Sequence, residues 1–339
     1  MEKSLIALMA IPITAAALTV LATAMSLPWL RSHTLVIPEK RSSHRQPTPQ
    51  GGGWAVVLAT FTTAWFAAGL SGALAAGELW QLSSLTTAAT LLAVVGFLDD
   101  MRNVSPIVRL IVQLVAAGLV VATLPEELRI APAMPLFAER LCTLFLGVWF
   151  INAVNFMDGI DWIIVAEVVP ITGTLVVMGL LGIIPNVEML LALALLGAIL
   201  GFAPFNKPVA RLFLGDVGSQ PIGLLLGWLL LALAGNGHVV AVLLLPLYYL
   251  ADTTIILVRR MVRGEPFWEA HRTHFYQQAI DNGFTVPEVV ARVFGVNLAL
   301  AALAFISVSG ESLLISLAAL AAGAAIVGIL LWQFARARR

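Results

Sequence analysis

The sequence predicts an all-α fold: a polytopic membrane bundle of about eleven transmembrane helices, forming one domain over residues 1–339. Three observations predict this fold. First, 60% of the residues are hydrophobic and only 11% are charged, whereas soluble domains carry about 25% charged residues. Second, apolar runs close to the roughly 20 residues that cross a bilayer recur along the chain. Third, the alternating apolar and polar pattern of a membrane β-barrel is missing.

The same composition excludes several classes of protein. A chain with so many apolar residues is neither a soluble enzyme nor a disordered tail. Because 19 Lys and Arg residues balance 19 Asp and Glu residues, we expect no basic surface for nucleic acid. The single cysteine, Cys142, excludes an internal disulfide and a cysteine-ligated metal cluster.

Each predicted span is an apolar run bounded by charged, Gly-rich or Pro-rich segments. The first run is kept as a span because it is too long for the apolar region of a signal peptide, and because the charges of Glu2 and Lys3 cancel. The eleven spans cover residues 4–27, 52–70, 79–98, 110–124, 141–154, 162–182, 189–202, 217–233, 238–258, 293–309 and 313–334.

The distribution of basic residues predicts the orientation. Lys and Arg concentrate on the cytoplasmic side of membrane proteins, so the C-terminal tail, with arginines at 336, 338 and 339, is expected in the cytoplasm. An odd number of spans then places the N-terminus outside. In this arrangement sixteen of the 19 basic residues are cytoplasmic; the exceptions are Lys3, Arg129 and Arg140. Five cytoplasmic loops are expected to form the active site, at 28–51, 99–109, 155–161, 203–216 and 259–292.

The first two loops carry glycines and paired acids. Gly51 and Gly52 open a helix, where a backbone without side chains can approach an anion; a merely flexible loop is the alternative. Asp99 and Asp100 are adjacent, and such carboxylates repel unless a cation or proton separates them. The pair suits Mg²⁺ with a phosphate, or a base beside a metal. An ordinary helix end is the less favoured alternative, since an acid there opposes the helix dipole.

The third and fourth loops carry hard oxygen ligands. Asn155, Asp158 and Asp161 recur at three-residue steps, which in a helix or turn would point them one way, toward Mg²⁺ or the hydroxyls of a sugar. Asp216 stands between two glycines at the start of a span. It can cap that helix and still offer an oxygen to a metal.

The fifth loop carries a cluster of His271, Arg272 and His274. Arginine binds phosphate through several donors, and histidine adds donors or a proton. Hard carboxylate and amide ligands favour Mg²⁺ or Mn²⁺ over zinc.

Asp252 and Glu167 lie inside spans, where acids are usually functional. Pairing of Asp252 with a nearby arginine is the structural alternative.

All these groups fall on one predicted side of the membrane. Carboxylates, Mg²⁺ and Arg or His side chains together describe a site for a diphosphate. Because the site lies at the membrane surface, one substrate is expected to be a lipid and the other a soluble nucleotide.

The chain resembles the polyprenyl-phosphate N-acetylhexosamine-1-phosphate transferases, a superfamily that includes the MurNAc-pentapeptide translocases. The matching segments are PEKRSSHRQPTPQGGG, GFLDD, NAVNFMDGIDW, FLGDVGSQPIG and DTTIILVRRMVRGEPFWEAHRTHFYQ. The resemblance implies transfer of a sugar phosphate from a UDP-N-acetylhexosamine to undecaprenyl phosphate, a membrane lipid, with release of UMP. AHRTHFYQ is similar to the branch that initiates O-antigen. The resemblance also implies the bacterial inner membrane, a cytoplasmic active site and compatibility with a homodimer.

The resemblance implies a role for each matching residue. The lipid phosphate would be deprotonated or positioned by one of the paired aspartates, with Asp99 as the base of a single displacement. The expected catalytic residues are Asp99, Asp100, Asp158 and Asp161; the expected Mg²⁺ ligands are Asp216 and Asn155, with Mn²⁺ as a substitute. The expected substrate-binding residues are His44, Gly51, Gly52, Arg109, His271, Arg272 and His274.

Two departures from the family pattern stand out. Many relatives carry Asp where this chain has Val36, so no acid–base role applies at that position. The peptidoglycan branch has consecutive histidines, which Arg272 and Thr273 interrupt here; a muramyl-pentapeptide substrate is correspondingly disfavoured. Two other functions remain open: an ion-coupled secondary transporter with membrane-embedded acids, and a structural scaffold. The identity of the hexosamine stays undetermined.

Overall fold

The computed structural model describes residues 2–38, 46–71, 74–265, 272–310 and 312–338. It is almost entirely helical, as predicted. The helices are α1 (Glu2–His33), α2 (Gly53–Ser71), α3 (Ala76–Arg102), α4 (Pro106–Ala122), α5 (Leu136–Met157), α6 (Ile163–Leu180), α7 (Asn186–Phe202), α8 (Asp216–Gly235), α9 (Val239–Leu244), α10 (Leu247–Val262), α11 (Phe275–Asp281), α12 (Val286–Ser309) and α13 (Leu313–Phe334). Two short antiparallel strands, β1 (Leu35–Val36) and β2 (Thr48–Pro49), follow α1.

The chain is a multi-pass membrane protein. Within the described residues, eight helices are long and apolar enough to cross a bilayer: α1, α2, α3, α5, α6, α8, α12 and α13. The apolar helices α4 and α7 are shorter, at 17 residues each. All the predicted spans coincide with helical segments, and the number that cross the membrane stays a prediction.

The ninth predicted span, 238–258, differs from the structure. It is divided at Pro246 into α9 and α10, because proline has no backbone N–H to donate within a helix. Helix α10 then continues to Val262, beyond the predicted edge, and the following loop contains the short helix α11. Charged residues were expected to end the span, but a helix can extend past the hydrocarbon into the polar region.

Helix α8 is the centre of the bundle and is buried along most of its length. Its first turn lies close to two other helices because glycines remove the side chains between them. A Cβ atom on Gly53 of α2 would collide with the backbone of Gly218. A Cβ atom on Gly96 of α3 would collide with the backbone carbonyl of Asp216. These contacts place the start of α8 against the end of α3.

The segment after β2 joins the segment before α8. Phe213 N–H donates to Pro49 O at 2.9 Å, and Gly52 N–H donates to Phe213 O at 2.9 Å. Gly53 N–H donates to Leu214 O at 2.8 Å. Two loops distant in sequence are therefore held side by side at one end of the bundle.

The remaining helices pack around these. Helix α7 packs against α1, α2 and α6, and α12 packs against α6, α9 and α13.

Candidate functional site

An ion-paired cluster lies where α3, α4 and α8 meet. The guanidinium of Arg109 contacts Asp99 Oδ2 at 2.6 Å and Asp216 Oδ2 at 3.5 Å. All three side chains are partly exposed. Local structure explains the first contact: α3 ends in the left-handed residue Asn103, and Asp99 Oδ1 accepts from Val104 N–H at 2.6 Å. The chain therefore turns tightly, and the first turn of α4 comes back onto Asp99.

Asp216 is also surrounded by amide side chains. Asn155 Nδ2 donates to Asp216 Oδ1 at 2.8 Å and to Ser219 Oγ at 2.9 Å. Gln220 Nε2 donates to Asp216 Oδ2 at 3.0 Å. The two residues predicted as metal ligands, Asn155 and Asp216, are thus in direct contact although 61 residues separate them.

Behind Asp216 lies an amide network that sequence reasoning missed. Gln113 Nε2 donates to Gln220 Oε1 and to Asn152 Oδ1, both at 3.2 Å. Asn152 Nδ2 in turn donates to Gln113 Oε1 at 2.7 Å. Gln113 and Gln220 are buried. Their presence in otherwise apolar spans was the available signal, since buried amides require partners.

Asp100 bonds to the N-terminus of α8 and not to Arg109. Its Oδ1 accepts from Asp216 N–H at 3.0 Å, and its Oδ2 accepts from Val217 N–H at 3.3 Å. The carboxyl thus acts as a helix cap supplied from another helix, where it satisfies free N–H groups and complements the helix dipole. Gly215, with φ +76°, has no Cβ that would collide with Asp100. This geometry favours a positioning role for Asp100 over direct chemistry.

Asp158 follows the last residue of α5 and is half-buried. Burial, together with the Asp216 and Asp161 carboxylates, raises the pKa of Asp158 to about 8. Its side chain makes no hydrogen bond or ion pair with the part of the chain that the structure describes. Asp158 therefore has a carboxyl group free to act on a ligand.

Asp161 lies beyond the end of α5, so the three-residue spacing does not continue the helix from Asn155 to Asp161. Helix α5 ends at Met157, so the helical register is lost before Asp161. Asp161 Oδ2 instead accepts from Ala210 N–H at 3.0 Å, and burial raises the pKa of Asp161. The carboxylate thus ties the 155–161 loop to the 203–216 loop, which points to a structural role.

One of the two N–H groups of the predicted anion cradle at Gly51 and Gly52 is bonded to protein. Gly52 donates its N–H to Phe213 O, as described above, so this N–H is not free for a ligand. Gly51 adopts φ +100°, a left-handed conformation that favours glycine. His44, predicted in the same loop, lies outside the described residues.

In the fifth loop, His274 and Arg272 have well-defined partners. His274 is buried, and its Nδ1–H donates to Asp252 Oδ1 at 3.0 Å. Arg272 pairs with Asp281 Oδ1 at 2.9 Å, while its buried Nε has no partner among the described residues. His271, the third member of the predicted cluster, lies outside the described residues. The arginine predicted to bind diphosphate therefore uses one of its five N–H donors in the ion pair with Asp281 and keeps others for a ligand.

The two acids inside spans bond to other parts of the bundle. Asp252 accepts from His274 and from the first residues of α11, in place of the pairing with Arg259 or Arg260 that was the structural alternative. Glu167 Oε2 accepts from Asn297 Nδ2 at 2.6 Å, between α6 and α12.

The donor set at Asp216 fits Mg²⁺. Within the described residues, no three His, Cys, Asp or Glu side chains converge closely enough to hold an ion by themselves. Magnesium, however, is usually held by one or two carboxylates, with phosphate and water completing its octahedron. Asp216, the amide oxygen of Asn155 and the free carboxyl of Asp158 are hard ligands of this kind, and they suit an ion that arrives with a diphosphate.

Comparison with known proteins gives a consistent set of relatives. Residues 82–234 match the family model described as Glycosyl transferase family 4. The chain is 27% identical over 319 residues to the decaprenyl-phosphate N-acetylglucosaminephosphotransferase of Mycolicibacterium smegmatis, covering 83% of this chain and 77% of that protein. It is 32% identical over 251 residues to the undecaprenyl-phosphate alpha-N-acetylglucosaminyl 1-phosphate transferase of Yersinia pestis, covering 66% and 65%. It is 29% identical over 305 residues to the phospho-N-acetylmuramoyl-pentapeptide-transferase of Gluconobacter oxydans, covering 78% and 80%.

Proposed function

Because the chain belongs to the superfamily of polyprenyl-phosphate N-acetylhexosamine-1-phosphate transferases, we propose that it acts on UDP-N-acetylhexosamine and undecaprenyl phosphate. The products are undecaprenyl-diphospho-N-acetylhexosamine and UMP. The reaction takes place at the cytoplasmic face of a bacterial inner membrane and starts the synthesis of O-antigen or a related envelope polysaccharide.

One observation carries this proposal: side chains from four helices meet at one end of the bundle. Asp99, Arg109, Asn155 and Asp216 come from α3, α4, α5 and α8, and each contacts at least one of the others. A phosphate needs a cation and oriented donors, and a metal needs oxygen ligands. This cluster supplies both within a few ångströms.

An apolar groove of about 220 Å³, roughly two helical turns from this cluster, supports a substrate with a prenyl chain. Its walls come from α4, α5, α8, α9 and α10, and they include Ala117 and Gly223. Ala117 lies about two helical turns beyond Arg109, and Gly223 about two turns beyond Asp216, or roughly 10–12 Å along each helix. A lipid whose phosphate contacts Arg109 can therefore place its prenyl chain in the groove.

The residues present suit Mg²⁺ held by Asp216 and Asn155, with Mn²⁺ as a substitute. Such an ion would neutralise the diphosphate, so that a phosphate nucleophile of the same charge can approach. Arg109 would bind the acceptor phosphate, since its 3.5 Å contact with Asp216 is the weaker of its two ion pairs. Arg272, with His271, would bind the nucleotide diphosphate, and the buried His274 would support them from within the protein.

The role of Asp99 needs revision. Both oxygens of Asp99 are already engaged, one by Arg109 and the other by Val104 N–H. Neither oxygen is left without a partner to receive a proton from a ligand, so Asp99 is poorly placed to be the base. We assign it the task of orienting Arg109. We assign any proton transfer from the lipid phosphate to Asp158, whose carboxyl is free and would give up its own proton when the cation binds nearby.

Purified protein in detergent tests the proposal. Release of UMP is measured with undecaprenyl phosphate and a panel of UDP-N-acetylhexosamines, with and without Mg²⁺, together with exchange of radiolabelled UMP into the UDP-sugar. We expect Mg²⁺-dependent release and exchange with at least one sugar. Failure with every sugar would contradict the proposal. Proton-coupled uptake in proteoliposomes, without UMP release, would favour a transporter instead.

A further inference from the structure

Asp252 is a fully buried acid that the proposed chemistry does not use. It lies on α10, and none of its side chain is exposed. Its Oδ1 accepts from His274 Nδ1–H at 3.0 Å and from Phe275 N–H at 3.1 Å. Its Oδ2 accepts from Tyr276 N–H at 3.3 Å. A buried carboxylate is costly unless it is fully hydrogen-bonded, so this set of donors specifies where the start of α11 must lie.

The same short helix continues to the metal-binding side of the site. The ring of Tyr276, the second residue of α11, is buried, and its hydroxyl donates to Phe156 O at 3.1 Å. Gln277 Nε2 donates to the same hydroxyl at 3.1 Å. Gly159 has no side chain, and a Cβ atom there would collide with the Tyr276 hydroxyl. Tyr276 therefore packs directly beneath the segment that carries Asn155 and Asp158.

Contacts between rings and a cation reinforce this arrangement. The His274 ring stacks on Tyr276, with centroids 5.8 Å apart, and lies 6.3 Å from the ring of Phe156. Arg259 of α10 lies over the ring of Phe275 at 5.1 Å. Helix α11 thus joins α10, the loop that carries His274, and the end of α5.

We propose that Asp252 is a positioning residue: through α11 and Tyr276 it sets the location of the 156–161 segment as well as that of His274. The two halves of the site, one for the nucleotide and one for the metal, are then held in register by a single buried carboxylate. The effect on catalysis rests on the proposed function, whereas the coupling between the two segments does not.

Hydrogen exchange measured by mass spectrometry tests the coupling without any substrate. In Asp252→Asn, one carboxylate oxygen becomes an N–H₂ group that faces backbone donors, so at least one hydrogen bond is lost. We expect about tenfold faster exchange in peptides covering both 272–281 and 156–161. Glu167→Gln is the matched control, since Glu167 is another buried acid that bonds to α12 and not to α11; it should leave both peptides unchanged.

A second variant isolates the last link and is expected to fold even if Asp252→Asn does not. Tyr276→Phe removes only the hydroxyl that bonds to Phe156 O. Exchange should accelerate in 156–161 and stay unchanged in 272–281. If Asp252→Asn accelerates exchange only in 272–281, or Tyr276→Phe leaves 156–161 unchanged, the coupling is overturned.

Activity provides the catalytic readout. Loss of a group that orients a ligand residue typically costs 10–100-fold in activity, so we expect kcat for UMP release to fall by about tenfold or more in Asp252→Asn. Because both substitutions break one chain of contacts, the double variant with Tyr276→Phe should be no slower than Asp252→Asn alone. Multiplying effects would overturn the proposal. If wild-type protein releases no UMP, the proposed function fails, and the exchange data still decide the coupling.

Discussion

Asp100 caps the helix that begins with Asp216: its two carboxyl oxygens accept from the N–H groups of Asp216 and Val217 at 3.0 and 3.3 Å. One acid therefore fixes the backbone of another from a different helix. The adjacent Asp99 instead pairs with Arg109 at 2.6 Å. The two neighbouring aspartates thus have different roles, and we expect their substitution to have different effects.

Asp100→Ala should destabilise the protein more than Asp99→Ala does. Loss of a cap costs about 0.5–2 kcal/mol, and here it also frees the turn that holds Asp216. Thermal unfolding in detergent should show a lower Tm for Asp100→Ala, with activity lost as well. Asp99→Ala should lose activity with a smaller fall in Tm, because it removes one hydrogen bond to Val104 N–H and one partly exposed ion pair. Equal Tm values for the two variants would contradict the assignment.

Arg109→Lys should weaken the use of the lipid substrate selectively. Lysine is a compact point charge without the planar fork of arginine, so it cannot hold Asp99 and a phosphate together. We expect KM for undecaprenyl phosphate to rise by about tenfold, with KM for the UDP-sugar within about twofold of wild type. Steady-state kinetics with each substrate varied in turn measure both values. A rise confined to KM for the UDP-sugar would mean that Arg109 binds the nucleotide sugar and not the lipid phosphate.

Gly96→Ala should separate α3 from α8. A methyl group at this position would collide with the Asp216 backbone, and overpacking of this kind costs about 1–3 kcal/mol. The matched control is Gly118→Ala on α4, where an added Cβ meets nothing within 4 Å. Unfolding in detergent should show a lower Tm for Gly96→Ala and an unchanged or higher Tm for the control. The same Tm for both variants would refute the close contact.

Mg²⁺ affinity should increase with pH. The raised pKa of Asp158, about 8, means that the metal-free site keeps a proton on this carboxyl at neutral pH. A cation bound nearby must displace that proton, so apparent affinity should fall as pH decreases from 8 to 6, by up to about tenfold per unit. Calorimetric titration with Mg²⁺ in the presence of UDP at several pH values measures this. Asp158→Asn should show a weaker dependence than wild type, and a flat wild-type profile would exclude the mechanism.

The sequence predicts this fold well because membrane helices are long, apolar runs with charges at their ends. It also locates the acids of the site, since an Asp at a helix end or in a span is unusual enough to be informative. It does not show which groups meet across the bundle. The sequence does not distinguish the role of Asp100 from that of Asp99, or the role of Asp161 from that of Asp158. In the structure, Asp100 and Asp161 both bond to backbone N–H groups of other segments.

Two other features depend on tertiary contacts that spacing does not encode. The Gln113 and Gln220 amides meet between α4 and α8, and no periodicity predicts that pairing. The role of Asp252 depends on α11, a seven-residue helix too short to have a clear hydrophobic pattern. Only the arrangement in space turns an isolated buried acid into part of the site.

The most direct test of the account is whether Asp216 and Asn155 hold a divalent ion against a nucleotide diphosphate. Mn²⁺ is added to the protein with UDP, and electron–nuclear double resonance measures the hyperfine coupling of Mn²⁺ to the phosphorus nuclei. We predict a strong coupling in wild-type protein that Asp216→Asn abolishes, beyond the coupling of free Mn²⁺–UDP. A coupling that survives unchanged in Asp216→Asn, or a wild-type spectrum identical to that of free Mn²⁺–UDP, would contradict the account.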